Sequence, residues 1–235
     1  MLTQILSGPR DEAEAMQVAL TGSRFERTRL GIRSGIALAL DTTDTQQVFY
    51  LAIAVDRETL PRLAERLAAD PSGRELMRTR AAIDSKNVDF AALRALPPDT
   101  LGGAYARALQ AQGLDPDIFQ RPPGLPEDLA YVAQRARQTH DLWHVLTGLK
   151  TDIPGEVALQ AFTHAQLHQN FSKLIVTFGL AFFGLRYPRM WKLVKRARSA
   201  GADAKFLLAV RWEDWWATPL AEVRATFGVP VLSEN

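Results

Sequence analysis

Five residues, His140-Asp141-Leu142-Trp143-His144, followed after a gap of eleven by Glu156, concentrate the side chains of this 235-residue chain that could do chemistry. Two of the four histidines stand here, four apart, with a carboxylate directly after the first. A helix advances about 100° per residue, so His140 and His144 lie roughly 40° apart on one face. Asp141, three residues before His144, can join that face. Gly148 and the pair Pro154-Gly155 break the chain and allow its return, and Glu156 then opens the next helix facing the pair. Two imidazoles with one or two carboxylates form a normal ligand set for a divalent metal that prefers nitrogen and oxygen. The competing reading is two polar residues on a solvated helix face. His164 shares a helix with Glu156 at spacing eight, about 80° away, which makes it a candidate proton donor beside the site. His168 turns further round.

The elements that must position these residues read as helices. Residues 11–70 carry apolar positions at helical spacing: Leu30 to Leu40, ending at Asp41-Thr42-Thr43-Asp44, then Val48, Leu51, Ala52 and Val55, then Leu60, Leu63 and Leu67. Asp70-Pro71-Ser72-Gly73 breaks the pattern, and a short helix covers 74–79. Ile83 to Leu96 reads as mostly loop, with a small hairpin near 80–95 as the alternative. Asp99 or Thr100 caps a helix through Leu101, Tyr105 and Leu109 that Gly113 ends. The four prolines of 114–126 mark an extended crossing. Pro126-Glu127-Asp128 opens a long helix that runs on through His140 and His144, with early acids favourable to its dipole. A second long helix starts near Pro154 and reaches Gln169, and a third covers about 172–185. No stretch alternates convincingly with period two and no repeat is evident. The expectation is all-α: one multi-helix bundle spanning residues 1–235 as a single domain.

Composition narrows the function classes. With 47% apolar residues the chain can bury a substantial core, and without cysteine it has no disulfide, thiolate metal site or cysteine nucleophile. The first residues lack a basic and then apolar leader, which points to a cytoplasmic site, peripheral on the inner face of the cell membrane. A net charge of +2 is too mild to argue for nucleic acid. The distribution says more. Val157 to Ala202 contains no Asp or Glu, yet holds Lys173, Arg186, Arg189, Lys192, Lys195, Arg196 and Arg198. Within it, Leu174 to Leu185 is uncharged and too short to span a bilayer, so a buried helix is expected. The run Arg186 to Arg198 alternates bases with Met190, Trp191, Leu193 and Val194. Such a cationic amphipathic helix suits an anionic membrane surface, with Phe178, Phe182, Phe183, Tyr187, Trp191, Lys192 and Lys195 as candidate lipid contacts. The cluster Trp212-Glu213-Asp214-Trp215-Trp216 is expected to be core with packing against a neighbour.

Taken together these residues resemble the Coq four family of ubiquinone (coenzyme Q) biosynthesis proteins. The likeness rests on Glu127 to Val132 leading into His140-Asp141-x-x-His144, then Gly148 and Gly155-Glu156. Asp70-Pro71-x-Gly73, Leu96-Pro97-x-x-Thr100-Leu101-Gly102-x-x-Tyr105, Trp212-Glu213 and Leu220-x-x-Val223-Arg224 with Gly228 also fit. It covers roughly residues 70–228, and residues 1–45 diverge. The resemblance implies a mainly helical protein, often a homodimer. It implies a divalent metal, usually zinc, at His140, Asp141, His144 and Glu156. It also implies a prenylated quinone precursor or other isoprenoid lipid, and partnership with other ubiquinone-biosynthesis proteins. Two roles go with it: oxidative decarboxylation at ring carbon C1, or a non-catalytic scaffold with a structural metal. Gln160 and Thr163 depart from the pattern, which has Lys and Glu there. If dioxygen takes part, iron or manganese would serve better than zinc. A zincin-like peptidase fits poorly, because Asp141 is a methylene shorter than the general base of HExxH. A phosphohydrolase of the HD type needs an upstream histidine, and none precedes His140.

Overall fold

The computed structural model describes residues 54–118, 121–122 and 124–232, together with 17–18, 21–23, 25–27, 29–30 and 52. The helices read between residues 11 and 53 lie largely outside them. Ten α-helices follow among the described residues: α1 (Thr59–Ala69), α2 (Pro71–Thr79), α3 (Phe90–Ala95), α4 (Leu101–Gln112), α5 (Glu127–Gln138), α6 (His140–Thr147), α7 (Ile153–Leu167), α8 (Asn170–Phe183), α9 (Met190–Asp203) and α10 (Leu220–Phe227). Short 3-10 turns lie at Pro116–Ile118, Leu207–Ala209 and Trp212–Trp215. There is no β-strand among these residues, only an isolated antiparallel bridge between Thr100 and Pro219. The protein is all-α, as expected.

Local signals set several boundaries. The Asp70 carboxylate accepts from the N–H groups of Ser72 and Gly73 with Pro71 in the first turn of α2, and the Thr100 hydroxyl accepts from Gly103 at the start of α4. No hairpin forms between 80 and 95, and 83–89 is loop, as expected, but a short helix follows it. Asp89 accepts from the N–H groups of Ala91 and Ala92 and so nucleates α3. The extended crossing of 114–126 contains the 3-10 turn at Pro116–Ile118.

The long helix expected through both histidines is divided at Thr139. Its hydroxyl donates back to the carbonyls of Arg135 (3.0 Å) and Ala136 (3.2 Å). Such back-bonding competes with the helix ladder and bends it. The metal candidates therefore sit on their own short helix, α6, rather than in the last third of a longer one.

α6 runs through the centre of the core. Leu142, Trp143 and Leu146 are fully buried with Leu159 and Phe162 of α7, Ala197 of α9 and Trp212, and Trp143 meets Phe162 edge to face at 5.8 Å. Burying each large apolar side chain of this kind contributes about 1.5–3 kcal/mol. Three polar ties fix the helix ends. Arg224 of α10 donates to the carbonyls of Leu146 (2.7 Å) and Val145 (3.0 Å), and the Leu232 N–H donates to Thr147 (2.7 Å). These use the carbonyls that a helix C-terminus leaves open. On α5, Arg135 is fully buried and makes a two-pronged pair with Glu213 at 2.7 and 3.0 Å, while also donating to the Val210 carbonyl at 3.0 Å.

One expectation fails. α8 is not a buried helix: only Ser172 and Gly179 of it are buried, while Phe182 is 74% exposed and Leu185, just beyond, 96%. Gly179 explains how α8 docks, since a Cβ there would meet Val157 of α7 at 2.5 Å. Sequence hydropathy registers that a segment is apolar, not whether the fold has a further layer to cover it. No helix among the described residues is long and apolar enough to cross a membrane.

Candidate metal centre

Three elements bring the histidines and Glu156 together. α6 carries His140 and His144 on one face. Gly148 ends it in the left-handed conformation (φ 71°) with its N–H on the His144 carbonyl at 2.8 Å, a C-cap that glycine adopts without strain. The Asp152 carboxylate then accepts from Gly155 N–H at 2.9 Å and starts α7. Gly155 is required there: any Cβ would collide with the Lys150 carbonyl oxygen. Glu156 follows in the first turn of α7, where the helix dipole favours a negative charge.

His140 Nε2 lies 3.5 Å from Glu156 Oε2, and His144 Nε2 lies 3.1 Å from Glu156 Oε1. One ligand atom from each of the three residues falls within 4.8 Å of the others. The imidazole rings meet edge to face at 5.0 Å. His144 Nδ1 is 3.0 Å from the Leu149 carbonyl. With a carbonyl as partner, Nδ1 must carry the proton, which leaves the Nε2 lone pair aimed at the cluster. Although Nε2 is close to Glu156, it is buried and has no aligned hydrogen-bond partner. A buried ring nitrogen left this way is what a metal ligand looks like before its ion, and the donor set of two nitrogens and a carboxylate fits a divalent cation. Access is from the Glu156 side: its side chain is 39% exposed against 6% for His144.

The charges reinforce one another. Burial works against ionising Glu156, but the two imidazoles facing its carboxylate override that and bring its pKa down to about 2. Burial likewise opposes a charged His140, and Glu156, with Asp141 behind it, outweighs that and holds it above the ordinary histidine value. Asp141 stands apart from the three. Its oxygens do not join the close cluster, burial pushes its carboxyl up, and the imidazoles pull it partly back. It lies close enough to act on His140, His144 and Tyr105 electrostatically. His164 is not brought to the site. It sits near the far end of α7 with Nδ1 on the Gln169 carbonyl at 2.9 Å. His168 is the left-handed residue that ends α7. Sequence spacing did not single out Leu149, whose carbonyl fixes the His144 tautomer, because a backbone acceptor carries no residue signal.

Comparison with known proteins agrees on one family. The family model described as "Coenzyme Q (ubiquinone) biosynthesis protein Coq4" matches residues 17–232, a wider span than the 70–228 read from motifs. The mitochondrial ubiquinone biosynthesis protein COQ4 of Arthroderma otae is 34% identical over 172 residues, 72% of this chain and 64% of the relative. The corresponding mitochondrial protein of Pyrenophora tritici-repentis is 32% identical over 210 residues, 88% of this chain and 73% of the relative. A crystal structure of a Nostoc punctiforme protein described as a ubiquinone biosynthesis protein superimposes with a TM-score of 0.72. It is 26% identical and covers 88% of this chain and 98% of its own. The cytoplasmic placement expected from the N-terminal residues is overturned by the mitochondrial names of these curated relatives. The residues at one end of a chain are too thin a basis for a compartment, since an address segment is separable from the fold. The chain belongs to the Coq4 family of coenzyme Q (ubiquinone) biosynthesis proteins.

Proposed function

We propose that His140, His144 and Glu156 hold a divalent cation, with Asp141 as the neighbouring carboxylate. We further propose that the chain uses it on a prenylated hydroxybenzoate in ubiquinone biosynthesis: the bond from C1 to the carboxylate breaks and carbon dioxide leaves, water supplies the hydroxyl, and dioxygen takes up the two electrons and two protons as hydrogen peroxide. The observation that carries this is the buried, unaligned Nε2 of His144, its tautomer fixed from behind by Leu149 and its lone pair facing Glu156. When bound, a divalent ion supplies a Lewis acid for the charge that develops as carbon dioxide leaves, and iron or manganese adds redox capacity that zinc lacks. The chain's own residues do the rest. Glu156 and the two imidazoles orient the acid at the open edge of the cluster, and the Trp143–Phe162 packing below keeps water from the far side of α6.

In this reading the isoprenoid tail and the membrane surface lie against α8 and α9. Phe178 and Phe182 stack at 6.0 Å on the outer face of α8. Between α8 and α9 a cleft is lined by Leu180, Trp191 and Val194 with Lys192, Lys195 and Arg198. An apolar floor with a cationic rim suits an anionic bilayer surface and an isoprenoid chain. Seven cations confined to 157–202 with no acid among them would repel a second copy across this face, so a homodimer would use another surface. The exposed patch also favours the second reading, a non-catalytic scaffold that gathers other ubiquinone-biosynthesis proteins on the membrane around a structural metal.

One assay separates the two. Purified protein is loaded in turn with zinc, iron and manganese and incubated with a prenylated 4-hydroxybenzoate under dioxygen. The catalytic reading expects decarboxylated, C1-hydroxylated product that is lost in His144→Ala. No product with any metal, in protein that retains the metal, rejects catalysis and leaves the scaffold.

A further inference from the structure

α7 carries two polar groups that nothing described so far uses. Gln160 and Thr163 follow Glu156 by four and seven residues, so both fall within about 40° of it on one face, some 6 and 10 Å further along the axis. Thr163 is only 7% exposed and its hydroxyl has no partner; the Gln160 side-chain oxygen is also buried and unpartnered. Buried polar atoms are nearly always paired. A helical threonine ordinarily returns its hydroxyl to the carbonyl four residues back, as Thr79, Thr139, Thr147 and Thr177 do here at 2.7–3.0 Å. Thr163 makes no such bond. Its hydroxyl and the Gln160 oxygen are thus two unpaired polar atoms on the Glu156 face of α7, and Gln160 lies one helical turn from the candidate metal cluster.

We propose that Gln160 and Thr163 are specificity-determining residues that read a hydroxyl group on the ring of an aromatic acid whose carboxylate is held at His140, His144 and Glu156. The pair is one acceptor and one hydroxyl that can donate. A ring hydroxyl matches both, donating to Gln160 Oε1 and accepting from Thr163 Oγ1. A methyl ether can only accept, so it strands the glutamine oxygen. This deepens the metal-centred reading and rests on it.

The test is calorimetric binding of 3-prenyl-4-hydroxybenzoate and its 4-methoxy analogue to the full chain, zinc-loaded and metal-free. Wild type binds the hydroxy acid at least about ten-fold more tightly, because a site that hydrogen-bonds a hydroxyl rejects the analogue that cannot reciprocate. In Thr163→Val and in Gln160→Met the preference falls below about three-fold, with zinc affinity unchanged. Thr163→Ser, which keeps the hydroxyl, retains the preference and guards against a mere packing effect. Equal binding of the two acids by wild type, binding of neither by zinc-loaded protein, or an undiminished preference in both variants overturns the subsite. Loss of zinc binding with the preference intact in metal-free protein would reject the metal centre and keep the subsite.

Discussion

Removing the partner of a buried charge makes a sharp test of how α5 and α6 are held. Arg135 is fully buried, and the Glu213 carboxylate meets it with both oxygens. In Glu213→Gln the shape persists but the guanidinium keeps only neutral acceptors, the Val210 and Ala81 carbonyls and the amide. Breaking one side of a buried pair costs about 3–5 kcal/mol. For a chain of this length each kcal/mol lowers the melting temperature by about 2–4 °C, so a drop of roughly 6–20 °C at pH 7 is expected. Replacing both residues, Arg135→Met with Glu213→Gln, should recover much of it, since no bare charge remains. The pH dependence has a definite sign. Burial pushes the Glu213 carboxyl up, but Arg135 outweighs it and holds it below the usual range. Its contribution is therefore full above the unfolded-state value of about 4.3 and is lost as pH falls through the lower folded value. The gap between wild type and Glu213→Gln should close below about pH 4. Thermal melts by circular dichroism across pH 3–8 measure it. A drop under about 2 °C at pH 7, or a gap that widens in acid, would refute the reasoning.

Other perturbations probe the same architecture. Arg224→Ala removes two charged hydrogen bonds to the end of α6 and should cost about 1.5–3 kcal/mol in chemical denaturation, with weaker zinc binding because the histidine helix loosens. Gly179→Ala sets a methyl against Val157 and should cost about 1–3 kcal/mol by overpacking, measurable as a lower urea midpoint. Phe182→Ser changes an exposed side chain and should leave stability within about 0.5 kcal/mol while reducing sedimentation with vesicles of anionic lipid. Unchanged sedimentation would remove α8 from the membrane-facing surface.

The sequence by itself determined the helical class, several helix ends and the pairing of His140 and His144 on one helix face. These are local matters: Asp70 and Thr100 cap because their oxygens reach the N–H groups two or three residues on, and the four-residue spacing of His140 and His144 follows from helix geometry. Tertiary structure decided the rest. It set Asp141 apart from His140, His144 and Glu156, drew His164 away to Gln169, and among the described residues left most of α8 unburied where its apolar run promised burial. It also supplied the Leu149 carbonyl behind His144 and the unpaired hydroxyl of Thr163. The physical reason is that a side chain's type fixes what it can bond, whereas its partner is chosen by elements distant in the chain.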